Sequence, residues 1–211
     1  MEHIIDRTIH FVQEKLSGAE AGHDWFHIER VYKNALKINE QEKGDPLVVS
    51  LAALLHDIAD SKFHNGNEEL GPQIAGDFLS EAGIDEKVIR HVQQIIKNLS
   101  FKSSLGKIDF HSKELDIVQD ADRLDAIGAI GIARAFTYGG YKNRVLYDPN
   151  IKPNLNMSKE EYKTAVNPTI NHFYEKLLLL KDLMKTNTGA AMALQRHNFM
   201  QSYLDQFYSE I

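Results

Sequence analysis

Residues 47–57 read LVVSLAALLHD, and this segment decides the fold. Residues 47–55 are apolar on nearly every side, which is typical of a helix that is buried all round. The helix ends in His56 and Asp57. A carboxylate attached to a buried helix is costly unless it is paired, hydrogen-bonded or bound to metal. The segment therefore predicts a helical core with a polar site at the end of its central helix.

The composition is that of a globular protein whose ligand is small. The 211 residues are 43% hydrophobic and 26% charged, and they include no cysteine. This excludes disulfides, thiolate metal sites and cysteine nucleophiles, so a metal must be held by histidine and carboxylate. The net charge of -6 disfavours a broad nucleic-acid surface, but it allows a local cationic cluster to hold a phosphorylated ligand. We expect no stable nucleic-acid partner.

The sequence shows no segment for membrane insertion. No apolar run reaches the length of a membrane span, and Glu2, Asp6 and Arg7 interrupt the apolar core that a signal peptide requires. We therefore predict a cytoplasmic protein with no membrane partner.

The apolar periodicity predicts an all-α fold in a single domain over residues 1–211. Few segments alternate as strands do, and there is no internal repeat. Helices are predicted near residues 3–16, 27–43, 46–58, 68–82, 85–99, 112–124, 126–138, 159–185 and 189–207. The third begins with Asp45 as N-cap and Pro46 at its first position.

A flexible loop is predicted over about residues 139–157, because this stretch combines paired glycines with two prolines. Long ordered loops are often functional, although a mobile surface segment explains the composition equally well. The helices over about residues 158–208 would either cover the core or form the surface of a homodimer.

Two other segments place metal-binding side chains at helix ends. His27 lies at a helix start within GHDWFHIERV, residues 22–31, and Asp122 lies within DADRLD, residues 120–125. For an isolated His-Asp pair, a simple hydrogen bond or an exposed helix end is the better interpretation, because few charged residues are functional sites. The two additional segments favour a shared site with His56 and Asp57.

These segments resemble the HD-domain phosphohydrolase superfamily, whose signature is a His, a His-Asp pair and a distant Asp that bind a divalent metal. The resemblance covers about residues 20–140. More closely, HDWFHIERV (residues 23–31), LLHDIADSKF (residues 54–63) and DADRLDAIGA (residues 120–129) are similar to small stand-alone bacterial HD proteins. Some of those proteins are nucleoside triphosphate pyrophosphohydrolases. The resemblance implies an HD-domain helical core with additional C-terminal helices.

The ligands implied by the resemblance are His27, His56, Asp57 and Asp122. His23 competes as the first ligand, but the order His-Ile-Glu-Arg-Val that follows the family pattern begins at His27. Two imidazoles and two carboxylates suit one six-coordinate divalent ion, with Mn favoured and Fe, Co, Ni or Mg as alternatives.

A second metal is the less favoured interpretation. Some HD proteins use further histidines for a two-metal centre, and His91 and His111 are available here. Neither lies in a matching motif, so we predict a single ion.

The resemblance also implies a metal-activated water that attacks phosphorus in line, with cations to hold the phosphate. Lys62 resembles a family position that contacts phosphate, and Arg134 is a further candidate for substrate binding. Asp60 or Asp125 would orient the water or act as general base. Helix capping or hydrogen bonding to the ligands is an equally good interpretation of either carboxylate. The predicted catalytic set is thus Asp60, Lys62 and Asp125.

The predicted function is a divalent-metal-dependent phosphohydrolase that acts on a nucleotide. Release of pyrophosphate from nucleoside or deoxynucleoside triphosphates is the specific reaction predicted. The alternatives are a nucleotide monophosphatase or phosphodiesterase, and a nucleotide-binding sensor with little turnover. Hydrolysis of alarmones of the guanosine tetraphosphate type is less attractive, because Ala59 and Asp60 replace the Glu-Asp pair of that branch.

Overall fold

The computed structural model describes residues 2–18, 24–59, 67, 69–99, 110–155 and 166–211. Within these ranges the chain forms helices, turns and irregular segments but no strand, which confirms the all-α fold class. No helix in these ranges is long and apolar enough to cross a membrane. The chain groups into two compact units, Met1–Asp122 with Lys185–Gly189 and Arg123–Met184 with Ala190–Ile211. A single domain over residues 1–211 stays a prediction.

The first unit is built around one central helix. Its helices are α1 (Glu2–Lys15), α2 (Trp25–Glu42), α3 (Pro46–Leu55), α4 (Leu70–Glu81), α5 (Glu86–Leu99) and α6 (Lys113–Asp125) as far as Asp122. Helix α3 packs against α1, α2 and α5, and α4 packs on α5. All residues from 48 to 55 are buried, as the apolar pattern predicts. Burial of each large aliphatic side chain contributes about 1.5–3 kcal/mol.

Local chemistry sets both ends of α3. The Asp45 carboxylate accepts hydrogen bonds from the N–H groups of Leu47 and Val48 at 2.8 and 3.2 Å, and Pro46 occupies the first turn. The helix ends at Leu55 rather than near residue 58, and a tighter turn follows in which Ile58 N–H donates to the Leu55 carbonyl. His56 and Asp57 therefore leave the buried helix at its last turn.

The second unit has an aromatic core. It contains α7 (Gly128–Tyr141), α8 (Asn171–Glu175), a 3₁₀ helix (Leu177–Leu183) and α9 (Asn187–Ser209) from Ala190 onward. Phe136, Phe173 and Tyr203 pack together with ring centroids 5.9–6.1 Å apart. Such ring pairs add to the stabilisation from burial.

The prediction of one helix over residues 159–185 is wrong in its described part. Residues 166–170 are not helical, and the chain breaks again at Lys176, where φ is -145°. Pro168 has no N–H and biases Asn167 away from helical geometry, which delays the start of α8 to Asn171. Residues 156–165 lie outside the described ranges. Helix α7 continues to Tyr141, so the predicted loop begins later than residue 139.

Candidate metal centre

His27 is oriented by the N-cap of α2. The Asp24 side chain accepts a hydrogen bond from His27 N–H at 3.0 Å, which is the usual N-cap bond to the third helical residue. The imidazole lies in the first turn of the helix and is only 2% exposed. The importance of Asp24 was missed in the sequence, although an aspartate three positions before a candidate ligand is a recognisable capping signal.

His56 presents a lone pair to His27. Its Nδ1 lies 2.9 Å from the Ala53 carbonyl. A carbonyl only accepts, so Nδ1 carries the proton and donates, and Nε2 is left as an acceptor. This Nε2 lies 3.3 Å from Nε2 of His27.

The two carboxylates converge on the same pair of imidazoles. Asp57 Oδ2 lies 3.8 Å from His27 Nε2. Asp122, supplied by α6, places Oδ1 3.6 Å from His27 Nε2 and 3.9 Å from His56 Nε2. The structure thus brings together all four residues that the sequence motif names, with His27 Nε2 as their common neighbour.

This arrangement fits a divalent cation. His27, His56 and Asp57 offer ligand atoms that all lie within 4.8 Å of one another. Donors on an octahedral ion lie about 3.0 Å apart when adjacent and about 4.3 Å apart when opposite. The lone pair of His56 and the carboxylates of Asp57 and Asp122 repel one another at this spacing, and a cation among them relieves the repulsion. Two imidazoles favour a transition metal over Mg²⁺ without deciding which one.

His91 has a different environment from these ligands. Its Nε2 lies 3.0 Å from Ser112 Oγ and 3.5 Å from Glu114 Oε2. In the part of the chain that the structure describes, the only cluster of three or more His, Asp or Glu side chains with metal-binding spacing is the one at His27, His56 and Asp57. His111 lines a shallow surface depression together with Glu42 and Lys185.

The remaining predicted residues fall into two groups. Asp60, Lys62 and the competing ligand His23 lie outside the described residues. Asp125 and Arg134 belong to the second unit, where the Arg134 guanidinium donates to Asp125 Oδ2 and forms an ion pair with it. Asp125 is 1% exposed. This ion pair stabilises the fold, which is sufficient to explain why an aspartate and an arginine stand at these positions. The predicted roles, catalytic for Asp125 and substrate-binding for Arg134, stay predictions.

Comparisons with known proteins cover both this site and the rest of the chain. The HD domain family matches residues 25–127, a range that contains His27, His56, Asp57 and Asp122. An HD-superfamily hydrolase of known structure from Bacillus thuringiensis is 44% identical, with 99% of this chain and 97% of that chain covered and a TM-score of 0.79.

A second relative is the uncharacterized protein YpgQ of Bacillus subtilis. It is 38% identical over 203 residues, which are 95% of this chain and 90% of YpgQ. The crystal structure of YpgQ in complex with ADP has a TM-score of 0.76 to this chain, with 98% of this chain and 94% of that chain covered.

Proposed function

The chain belongs to the HD-domain family and is a metal-dependent phosphohydrolase, and from this premise we propose that it releases pyrophosphate from nucleoside or deoxynucleoside triphosphates. The observation that carries the proposal is the convergence of two imidazole nitrogens and two carboxylates within 3.9 Å of His27 Nε2 or His56 Nε2. His27, His56, Asp57 and Asp122 would hold one divalent ion, with Mn²⁺ favoured. When bound, the ion supplies a Lewis acid and lowers the pKa of a water ligand.

The protein residues prepare this site before substrate arrives. Hydrogen bonds from His27 N–H to Asp24 and from His56 Nδ1 to Ala53 fix the first turn of α2 and the tautomer of His56. Two neutral imidazoles and two carboxylates would balance the charge of a divalent ion. The negative charge of a triphosphate must then be matched by other cations.

Lys62 and Arg134 are the cations that we assign to the substrate phosphates. Arg134 carries a planar guanidinium with five N–H donors, and its ion pair with Asp125 holds that group in one orientation. A carboxylate paired with a guanidinium is a weaker proton acceptor, so Asp60 is the better general base and Asp125 the partner that orients Arg134. Lys62 and Asp60 enter this proposal from the sequence motif.

Two observations support a nucleotide as the substrate. The relative YpgQ has been crystallised with ADP, a nucleoside diphosphate. The net charge of -6 favours a small polyanion over a long nucleic acid. A nucleotide monophosphatase, a phosphodiesterase and a low-turnover nucleotide sensor are the rival functions. Residence in the cytoplasm and a homodimer stay predictions.

Product analysis tests the reaction. Purified protein is incubated with Mn²⁺ and a panel of triphosphates, monophosphates and cyclic nucleotides, and the products are followed by phosphorus NMR. Pyrophosphate and a nucleoside monophosphate are the expected products of a triphosphate. Inorganic phosphate would indicate a phosphatase, and opening of a cyclic nucleotide would indicate a phosphodiesterase. Nucleotide binding without any product would favour the sensor.

Single substitutions test the metal centre. His56→Ala and Asp57→Ala are each expected to reduce Mn²⁺ affinity and turnover by more than about 100-fold. Losing a residue that only orients a ligand typically costs about 10–100-fold, and losing the ligand itself costs more. Circular dichroism should show that the helices persist. His10→Ala is the matched control, since His10 is exposed on α1 and its Nδ1 lies 2.7 Å from the Asp6 carbonyl in the same helix. Full turnover in a His56→Ala protein without bound metal would disprove the assignment.

A further inference from the structure

Helix α6 is fastened by a carboxylate that plays no part in the metal centre. Asp120 is 0% exposed. Its Oδ1 accepts from Lys185 N–H at 2.9 Å, and its Oδ2 accepts from Thr186 N–H and Thr186 Oγ1, both at 2.8 Å. All of these groups belong to the first unit. Buried hydrogen bonds to an ionised acceptor are among the stronger polar contacts in proteins.

The partner segment is shaped around this carboxylate. Gly189 N–H donates to Thr186 Oγ1 at 2.9 Å. A Cβ at Gly189 would lie 2.4 Å from Asp120 Oδ2 and 2.8 Å from Thr186 Oγ1, which is too close for any side chain. We call Asp120, Thr186 and Gly189, with the Lys185 N–H, the Asp120 clamp.

The Asp120 clamp lies two residues before the ligand Asp122 on the same helix. Residues on an α-helix are separated by about 100° per position, so the two side chains point about 200° apart. The clamp therefore holds α6 from the side opposite to the metal centre. The Asp122 side chain is 40% exposed, whereas that of Asp57 is 19% exposed, so fewer neighbouring atoms hold the Asp122 carboxylate in place. The position of its carboxylate depends on where the helix is held.

Small movements of α6 would be large for a metal ligand. A side chain that reaches about 6 Å from the helix axis moves by about 1 Å when the helix turns by about 10°. Metal–ligand distances are reproduced within about 0.2 Å in functional sites. Loss of the clamp would thus displace Asp122 well beyond what coordination tolerates.

The geometry points to Asp120 as a positioning residue for Asp122. It fixes the rotation of α6 so that Asp122 Oδ1 reaches Nε2 of both His27 and His56, and this role rests on the proposed ligation of metal by Asp122. The competing explanation is purely structural, because Asp120 also holds Lys185 and Thr186, the two residues that precede α9. The two explanations differ in what happens to metal affinity once the protein is folded.

The chain offers a matched control in Glu42. Its Oε1 accepts from Thr188 N–H at 2.9 Å, and hydrogen bonds from Thr188 hold the pKa of Glu42 below its usual range. Glu42 is the last residue of α2, so it fastens the same segment of chain as Asp120 but to α2 instead of α6. Glu42→Ala therefore weakens the anchoring of residues 185–189 without removing a hydrogen bond to the helix that carries Asp122; the charge of Glu42 acts on that helix only through Lys113, nine residues before Asp122.

The experiment measures Mn²⁺ binding by titration calorimetry at room temperature and the Mn²⁺ concentration for half-maximal hydrolysis. Asp120→Asn is expected to raise the Kd for Mn²⁺ by about tenfold to 100-fold, with kcat largely restored at saturating Mn²⁺. Glu42→Ala is expected to lower the melting temperature with the Kd unchanged within error. Thr186→Val, which removes one donor to Asp120, replaces Asp120→Asn if that variant does not fold, and a raised Kd is again expected.

Two results would overturn the inference, and they differ. An unchanged Kd in the folded Asp120 or Thr186 variant, with a lower melting temperature, would show that the clamp only stabilises the fold. A wild-type protein that binds none of Mn²⁺, Fe²⁺, Co²⁺, Ni²⁺ and Mg²⁺ would overturn the proposed metal centre itself, and the positioning role with it.

Discussion

Replacement of Asp125 by asparagine is expected to destabilise the protein by about 3 kcal/mol. Asp125 is 1% exposed and is paired with Arg134, whose side chain is 28% exposed. Breaking a buried pair by removing one partner costs about 3–5 kcal/mol, because the remaining charge loses its compensation. The lower end applies here, since the guanidinium of Arg134 can still reach water.

A second guanidinium adds to the expected loss. Burial lowers the pKa of Arg196, and the charge of Asp125 acts in the opposite direction. Arg196 also donates to the Leu124 carbonyl, which keeps it close to the start of α7 in the second unit. Asp125→Asn would therefore remove the anion that stabilises two arginines at once.

The assay is urea unfolding followed by circular dichroism, with thermal melts in parallel. For a chain of this length about 3 kcal/mol corresponds to a fall of about 6–12 °C in the melting temperature. Glu29→Gln is the control, because Glu29 and Lys33 form an exposed ion pair on α2 with side chains 36% and 67% exposed. Its loss should change the free energy of unfolding by about 0.5 kcal/mol or less.

A double-mutant cycle separates the pair from the individual residues. Asp125→Asn, Arg134→Met and the combined variant should give a coupling energy of about 1–3 kcal/mol. The reasoning would be refuted if Asp125→Asn changed the free energy of unfolding by less than about 1 kcal/mol. If Asp125→Asn left the free energy of unfolding nearly unchanged but strongly reduced kcat, a direct catalytic role for the Asp125 carboxylate would be favoured instead.

Two further predictions concern the second unit. Gly128 has φ +76°, and a Cβ there would lie 3.0 Å from Cβ and Cγ of Arg196. Gly128→Ala should therefore lower the free energy of unfolding in urea by about 1–3 kcal/mol. Gly140→Ala is the control: a Cβ there meets open space, so this change should be neutral or stabilise the protein by up to about 1 kcal/mol, and equal effects of the two changes would contradict the backbone argument. Burial, together with the positive charges of Lys176 and Arg144, lowers the pKa of His172 from 6.5 to about 3. Folding therefore favours the neutral imidazole. The stability linked to this neutral form is fully present above about pH 6.5 and is lost as the pH falls towards 3. The urea midpoint should fall less between about pH 7 and pH 5 in His172→Gln than in wild type, and identical slopes would show that His172 titrates normally.

Much of the helical fold follows from local sequence, because helix periodicity and capping act over a few residues. The apolar run of residues 47–55, preceded by Asp45 and Pro46, predicts the buried helix that the structure contains. The same local rules fail for residues 166–185, where an apolar pattern hides the interruption at Pro168 and the tighter turns from Leu177 to Leu183. Periodicity reports which residues are apolar, and it does not distinguish one helix from several short ones.

The sequence by itself determined the types of side chain at the site, since His27, His56, Asp57 and Asp122 lie in recognisable motifs. Only the tertiary structure decided the separation of 3.3 Å between the Nε2 atoms of His27 and His56, and the approach of the Asp122 carboxylate to both imidazoles. It also decided which groups hold the buried carboxylate of Asp120, since these lie more than sixty positions further along the chain. These contacts depend on how helices distant in sequence pack, and a pattern that extends over a few residues carries no information about that packing.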